Sequence, residues 1–126
     1  MLNFNSVMLF SENPKALSDF YKNVFDKEPD WDMEGYVGFK IGDCAITVGP
    51  HDEVKGKNDH PQRMMFNFET DDVKGEFARI KETGAEVIKE PYNPGGDEGE
   101  YLIATFADPD GNYFQLVSPM KMDLPN

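Results

Sequence analysis

The chemistry open to this chain is limited by a small stock of donor groups. It has one cysteine, Cys44, two histidines, His51 and His60, and 24 Asp and Glu residues. A catalytic metal needs several imidazole or anionic donors converging on one point, and a nucleophile needs a base beside it. Both histidines fall in or beside the polar stretch His51 to Gln62, away from any predicted strand, and read as surface residues. Cys44 can form no internal disulfide and has no second cysteine with which to build a zinc site, so it reads as a small buried strand residue. Glu69 closes the apolar run Met64 to Glu69. A partly apolar setting would raise its proton affinity and suit it to general-base work, yet no nucleophile is paired with it. Aromatic groups are the richer resource. Trp31, Tyr36, Tyr92 and Tyr101 stand where a ring can either stack on a planar ligand or pack against the protein.

The elements that must position these groups fit one domain spanning residues 1–126. Apolar residues make up 39% of the chain and aromatics 13%, enough for a packed core. A net charge of -12 opposes binding to phosphate backbones and argues against nucleic-acid partners. The same charge either steers in a cationic ligand or serves solubility alone. No basic segment followed by an apolar run opens the chain, and no later run reaches membrane-spanning length, so a cytoplasmic protein without membrane contact is expected.

Along the chain, Phe4 to Phe10 reads as a strand, and Ser11-Glu12-Asn13-Pro14 supplies an N-cap candidate followed by proline. Leu17, Phe20, Tyr21, Val24 and Phe25 recur at helical spacing, predicting an amphipathic helix from Pro14 to Phe25 that covers a sheet. Strands follow at Tyr36 to Ile41 and Cys44 to Val48 around the turn Gly42-Asp43. After the polar connector 51–62 the order repeats. A strand Met64 to Glu69 leads to caps at Asp71-Asp72, then a helix carrying Val73, Phe77 and Ile80 that Gly84 ends. Val87-Ile88 is a short strand, Pro91 to Gly99 a glycine-rich loop suited to a lid, and Tyr101 to Phe106 and Tyr113 to Val117 are strands around Asp108-Pro109-Asp110-Gly111. Aligned without gaps, Gly42 falls on Gly111, Asp43 on Asn112, Val48 on Val117 and Pro50 on Pro119, and Phe39 meets Phe106 if two residues are inserted in the second turn. This points to an internal duplication.

The run FADPDGNYFQL, Phe106 to Leu116, resembles the signature ending of the vicinal-oxygen-chelate superfamily of glyoxalases, bleomycin-resistance proteins and extradiol dioxygenases. The helices SDFYKNVF and DDVKGEFARIKETGAEVIKEP fit that family in its order. The resemblance implies an α+β fold of two tandem βαβββ modules, about 1–50 and 63–120, forming incurved mixed sheets around a cleft.

The family carries up to four metal-ligand positions on the first and last strands of its two halves. Here they fall on Ser6, Ile46, Met65 and Gln115, which offer a hydroxyl, no donor, a thioether and an amide. Such a set leaves a divalent ion uncompensated, so no metal cofactor is expected. Strand alternation adds Met8 and Phe10 to Ser6, Cys44 to Ile46, Asn67 and Glu69 to Met65, and Tyr113 to Gln115 on the cleft side, with Trp31 and Tyr101 at its mouth. The resemblance then implies a metal-independent binder of small molecules, similar to bleomycin-resistance-type drug-sequestering proteins. Asp30, Asp32, Glu34 and Glu69 would draw a cationic or aromatic ligand. The alternative is a metal-dependent glyoxalase-like lyase or dioxygenase. Family members mostly dimerise, so a homodimer is expected.

Overall fold

A computed structural model of the protein describes residues 1–96 and 100–119. Two compact units divide after Asn58, inside the polar connector. Among the described residues no helix is long and apolar enough to cross a membrane.

The first unit contains β1 (Ser6–Ser11), α1 (Pro14–Phe25), β2 (Trp31–Met33), β3 (Tyr36–Ile41) and β4 (Cys44–Pro50). Its sheet runs β1-β4-β3-β2, with β1 parallel to β4 and the other pairs antiparallel. The helix starts where the sequence asks for it. The Asn13 side chain accepts the Ala16 N–H, Pro14 occupies the first turn where its missing N–H costs nothing, and Ser11 Oγ accepts the Asn13 N–H at 2.9 Å. Leu17, Tyr21 and Val24 are buried against Phe39, Ile46 and Val48 on the sheet's helix side. Burying one such aliphatic side chain contributes about 1.5–3 kcal/mol. The ring series Tyr21, Phe25, Phe39, with centroids 5.5 and 5.3 Å apart, adds roughly 0.5–1.5 kcal/mol per pair.

The second unit repeats the order with β5 (Phe66–Glu69), α2 (Val73–Glu82), β6 (Glu86–Tyr92), β7 (Ile103–Ala107) and β8 (Tyr113–Val117), in sheet order β5-β8-β7-β6. Asp72 caps α2 by accepting the Gly75 N–H at 2.9 Å. The core here is also aromatic: Phe77 meets Phe106 at 5.1 Å and Phe106 stacks on Phe114 at 5.5 Å. Two four-stranded mixed sheets, each with one helix, make the expected α+β fold.

Several local expectations change. A short edge strand, β2, precedes β3, where the residue pattern had shown only a passage between elements. Pro91 and Tyr92 belong to β6 rather than to the following loop, and β6 is irregular, with its register against β7 shifting twice. Of the lid segment, positions 97 to 99 lie outside the described residues. Cys44 is half-buried at the start of β4, its thiol donating to the Phe4 carbonyl at 3.6 Å, because the hairpin end leaves it only partly covered.

Candidate functional site

Strand register decides which side chains share a face, because successive residues alternate and lateral partners point the same way. In the first unit Leu9, Ser11, Phe39, Ile46 and Val48 are buried. Their neighbours Ser6 and Met8 on β1 are exposed and Phe10 is half-buried, which defines the face turned away from α1. Along it Met8 stands beside Thr47, Thr47 beside Gly38, and Gly38 beside Trp31, forming one row across all four strands. Two residues along, Phe10 stands beside Gly49, and Tyr36 beside Met33.

Both glycines in these rows are sites of close approach. A Cβ at Gly38 would fall inside the Trp31 indole, and one at Gly49 would fall on the Tyr36 ring. Bare backbone therefore lets two aromatic rings lie down on the sheet. Met8 is 50% exposed and Trp31 and Tyr36 each 36%, so this apolar floor stays accessible. His51 packs edge-on against Phe10 at 5.1 Å.

The corresponding face of the second unit has a different character. Asn67 stands beside Gln115, Gln115 beside Thr105, and Thr105 beside Lys89. The Gln115 Nε2 donates to Thr105 Oγ1 at 3.0 Å across β7 and β8. Glu69 and Tyr113 lie on the same side by alternation. Met65 is exposed just before β5, and Tyr101 is half-buried before β7.

One expected position moves. Ile46 pairs laterally with Val7 and Phe39 and is 5% exposed, so it belongs to the helix-side core, and Thr47 takes its place on the open face. Cys44 shares the parity of Ile46 and leaves that face with it. The gapless match of the two hairpins is the cause. Phe39 and its partner Ile46 are seven residues apart, whereas Phe106 and its partner Phe114 are eight apart. The second hairpin is thus longer by one residue over this span rather than two, and a slip of one residue exchanges the faces. Gln115 matches Thr47. The alternation along β4, with Ile46 and Val48 apolar and Thr47 polar between them, is the sequence signal that favours the observed register.

Asp30 and Asp32 both border a groove beside α1, with Trp31 between them in the chain. Asp30 Oδ2 accepts from Lys27 Nζ at 2.8 Å and from the Lys40 N–H at 2.6 Å, while Lys27 also reaches the Lys40 carbonyl at 3.0 Å. The Lys27 hydrogen bond, and then the Lys40 N–H, hold the Asp30 carboxyl below its ordinary pKa. Asp32 stands beside Val37, on the helix side, and Glu34 sits in the β2–β3 turn with φ of 53°. This groove, of about 750 Å³ between α1 and the β2 edge, is lined by Asp30, Trp31 and Asp32 together with Lys15, Asp19, Lys22 and Glu28. Its lysines pair with Asp19 and Glu28 at 3.1 and 3.0 Å in solvent-exposed contacts.

Ser6 and Thr47 in the first unit, and Met65 and Gln115 in the second, offer only neutral hydroxyl, thioether and amide groups, a donor chemistry that does not suit a divalent ion. Among the described residues no three His, Cys, Asp or Glu side chains group as a metal centre.

The sequence profile of the Glyoxalase/Bleomycin resistance protein/Dioxygenase superfamily matches residues 3–116. No curated protein matches the sequence. The fold is similar to that of a glyoxalase/bleomycin resistance protein/dioxygenase family enzyme from Burkholderia phytofirmans PsJN, at 21% identity and a TM-score of 0.73, covering 94% of this chain and 100% of that one. A glyoxalase-related enzyme from Fulvimarina pelagi aligns at 15% identity and a TM-score of 0.73, covering 99% and 96%. An integron cassette protein from V. cholerae aligns at 19% identity and a TM-score of 0.71, covering 95% and 97%.

Proposed function

This chain belongs to the Glyoxalase/Bleomycin resistance protein/Dioxygenase superfamily, and on that footing we propose that it is a metal-independent small-molecule-binding member that holds planar aromatic compounds. The observation that carries the reading is the Trp31 indole lying on Gly38, in one row with Met8 and Thr47 and beside the Tyr36 ring on Gly49. A flat, apolar surface with a few hydroxyls suits stacking and dispersion, with polar groups left to orient the ligand. It offers no paired acid and base, and its neutral donors give a metal no charge compensation. By this reading the protein sequesters its ligand rather than turning it over, and it assembles as a homodimer, which sedimentation would test.

Calorimetric titration of chelator-treated protein with a panel of fused-ring aromatics tests the function. Binding that persists in chelator and weakens at least about tenfold in Trp31→Ala, as loss of a stacking partner and its buried area requires, supports it. Binding that appears only after zinc, manganese, nickel or iron(II) is added overturns it and restores a metal-dependent lyase or dioxygenase.

A further inference from the structure

The charge carried by the open face of the first unit is opposite in sign to that of the whole chain. Of the residues that β1 to β4 turn to this face, only Lys40 is charged, alternating with the buried Phe39 and standing beside Ala45, which in turn stands beside Ser6. Lys40 is exposed and lies two residues beyond Gly38 on β3, so it sits about 7 Å along the strand from the glycine that carries the Trp31 ring. No carboxylate stands at a strand position of this face. Asp30 accepts from Lys27 Nζ and from the Lys40 backbone N–H, and Glu34 and Asp43 sit in the hairpin turns rather than on the strands. The net charge of -12 suggests a cationic ligand, but salt screens that field over about 8 Å, whereas an ammonium in contact with the ligand is screened far less.

We infer that the ligand is a planar aromatic anion, a fused-ring carboxylate or its equivalent, whose ring stacks in the Trp31, Thr47 and Met8 row and whose anionic group meets the Lys40 ammonium. The inference rests on the ligand-binding reading above and narrows it. A hydroxyl such as that of Thr47 can donate to the same anion, and a charge-assisted hydrogen bond from lysine sets its orientation.

The Trp31 indole N–H gives a single side-chain signal in a nitrogen-15 spectrum, because the chain has one tryptophan. Titrations of wild type, Lys40→Gln and Lys40→Arg with 2-naphthoate, its neutral amide and the corresponding naphthylmethyl ammonium follow that signal. The expected result is that naphthoate binds about five- to tenfold more tightly than the amide, and the cation binds most weakly. Lys40→Gln should remove the preference without changing affinity for the amide, and Lys40→Arg should keep it. If all three compounds shift the Trp31 signal with the cation strongest, or with an order that Lys40→Gln leaves intact, the charge assignment falls while the aromatic-binding reading stands. If none shifts it, both fall.

Discussion

The Trp31 indole occupies the space that a side chain at Gly38 would need, so the tryptophan's position depends on its neighbour having none. Gly38→Ala therefore displaces the ring. The expected outcome is a red-shifted tryptophan emission, a loss of aromatic-ligand affinity of at least about tenfold, and a stability cost of roughly 1–3 kcal/mol from overpacking. Unchanged emission and affinity would show that the ring does not rest there.

Register in the β1–β4 pair makes an opposed prediction for two adjacent residues. Ile46 is buried under α1 and Thr47 is not, so Ile46→Ala should lower stability by about 2–5 kcal/mol, while Thr47→Ala stays within about 1 kcal/mol. Urea unfolding of both variants measures this. The reverse order would restore the alignment anchored on the turn glycines.

The Lys27–Asp30 contact predicts an acid-side signature. Because the folded pKa of Asp30 lies below its ordinary 3.8, the carboxylate's contribution is fully present above that value and is lost as pH falls through the lower folded value. Stability therefore rises with pH across that window, and part of the rise should vanish in Asp30→Asn. Urea midpoints of wild type and Asp30→Asn should differ most near neutrality and converge under strong acid. A gap that stays constant with pH would assign the effect to packing instead.

Chelation should leave the protein's properties intact. Because Ser6 and Thr47 in the first unit and Met65 and Gln115 in the second are neutral donors, thermal midpoint and aromatic affinity are expected to be the same before and after chelator treatment. Elemental analysis alongside a zinc, manganese, nickel and iron(II) thermal-shift series checks this. Stoichiometric uptake lost in Gln115→Ala would reverse the conclusion.

Most of the fold could be read from residue order because its signals are local. Asn13 and Pro14 mark the start of α1, and the apolar spacing from Leu17 to Phe25 carries it to its end, so the expected and observed bounds coincide at Pro14–Phe25. The strands Tyr36–Ile41 and Tyr113–Val117 also coincide, each set off by a turn with strong sequence chemistry. The edge strand β2 escaped notice because three residues, Trp31, Asp32 and Met33, are too few to show alternation. The site was less legible, since a face is a matter of parity and parity depends on turn length. Ser6, Met8, Phe10 and Trp31 do share the open side of the first unit, whereas Ile46 failed by one residue. Lys40 carries no sequence signal of its own, because a lone lysine in a strand looks like ordinary surface until the row beside it is known.

The two units, compared pair by pair, differ in what each face conserves. On their helix sides they kept equivalent apolar choices: Phe39 answers to Phe106, Ile46 to Phe114 and Val48 to Leu116. On their open sides they share no residue in the central row, Met8, Thr47, Gly38 and Trp31 in one and Asn67, Gln115, Thr105 and Lys89 in the other. The surface that holds each unit to its helix is constrained by packing and the opposite surface is not, so one sheet presents an oily shelf and the other an amide-and-hydroxyl ladder. New binding chemistry in such a scaffold can therefore arise on the open strands without disturbing the helix-side core.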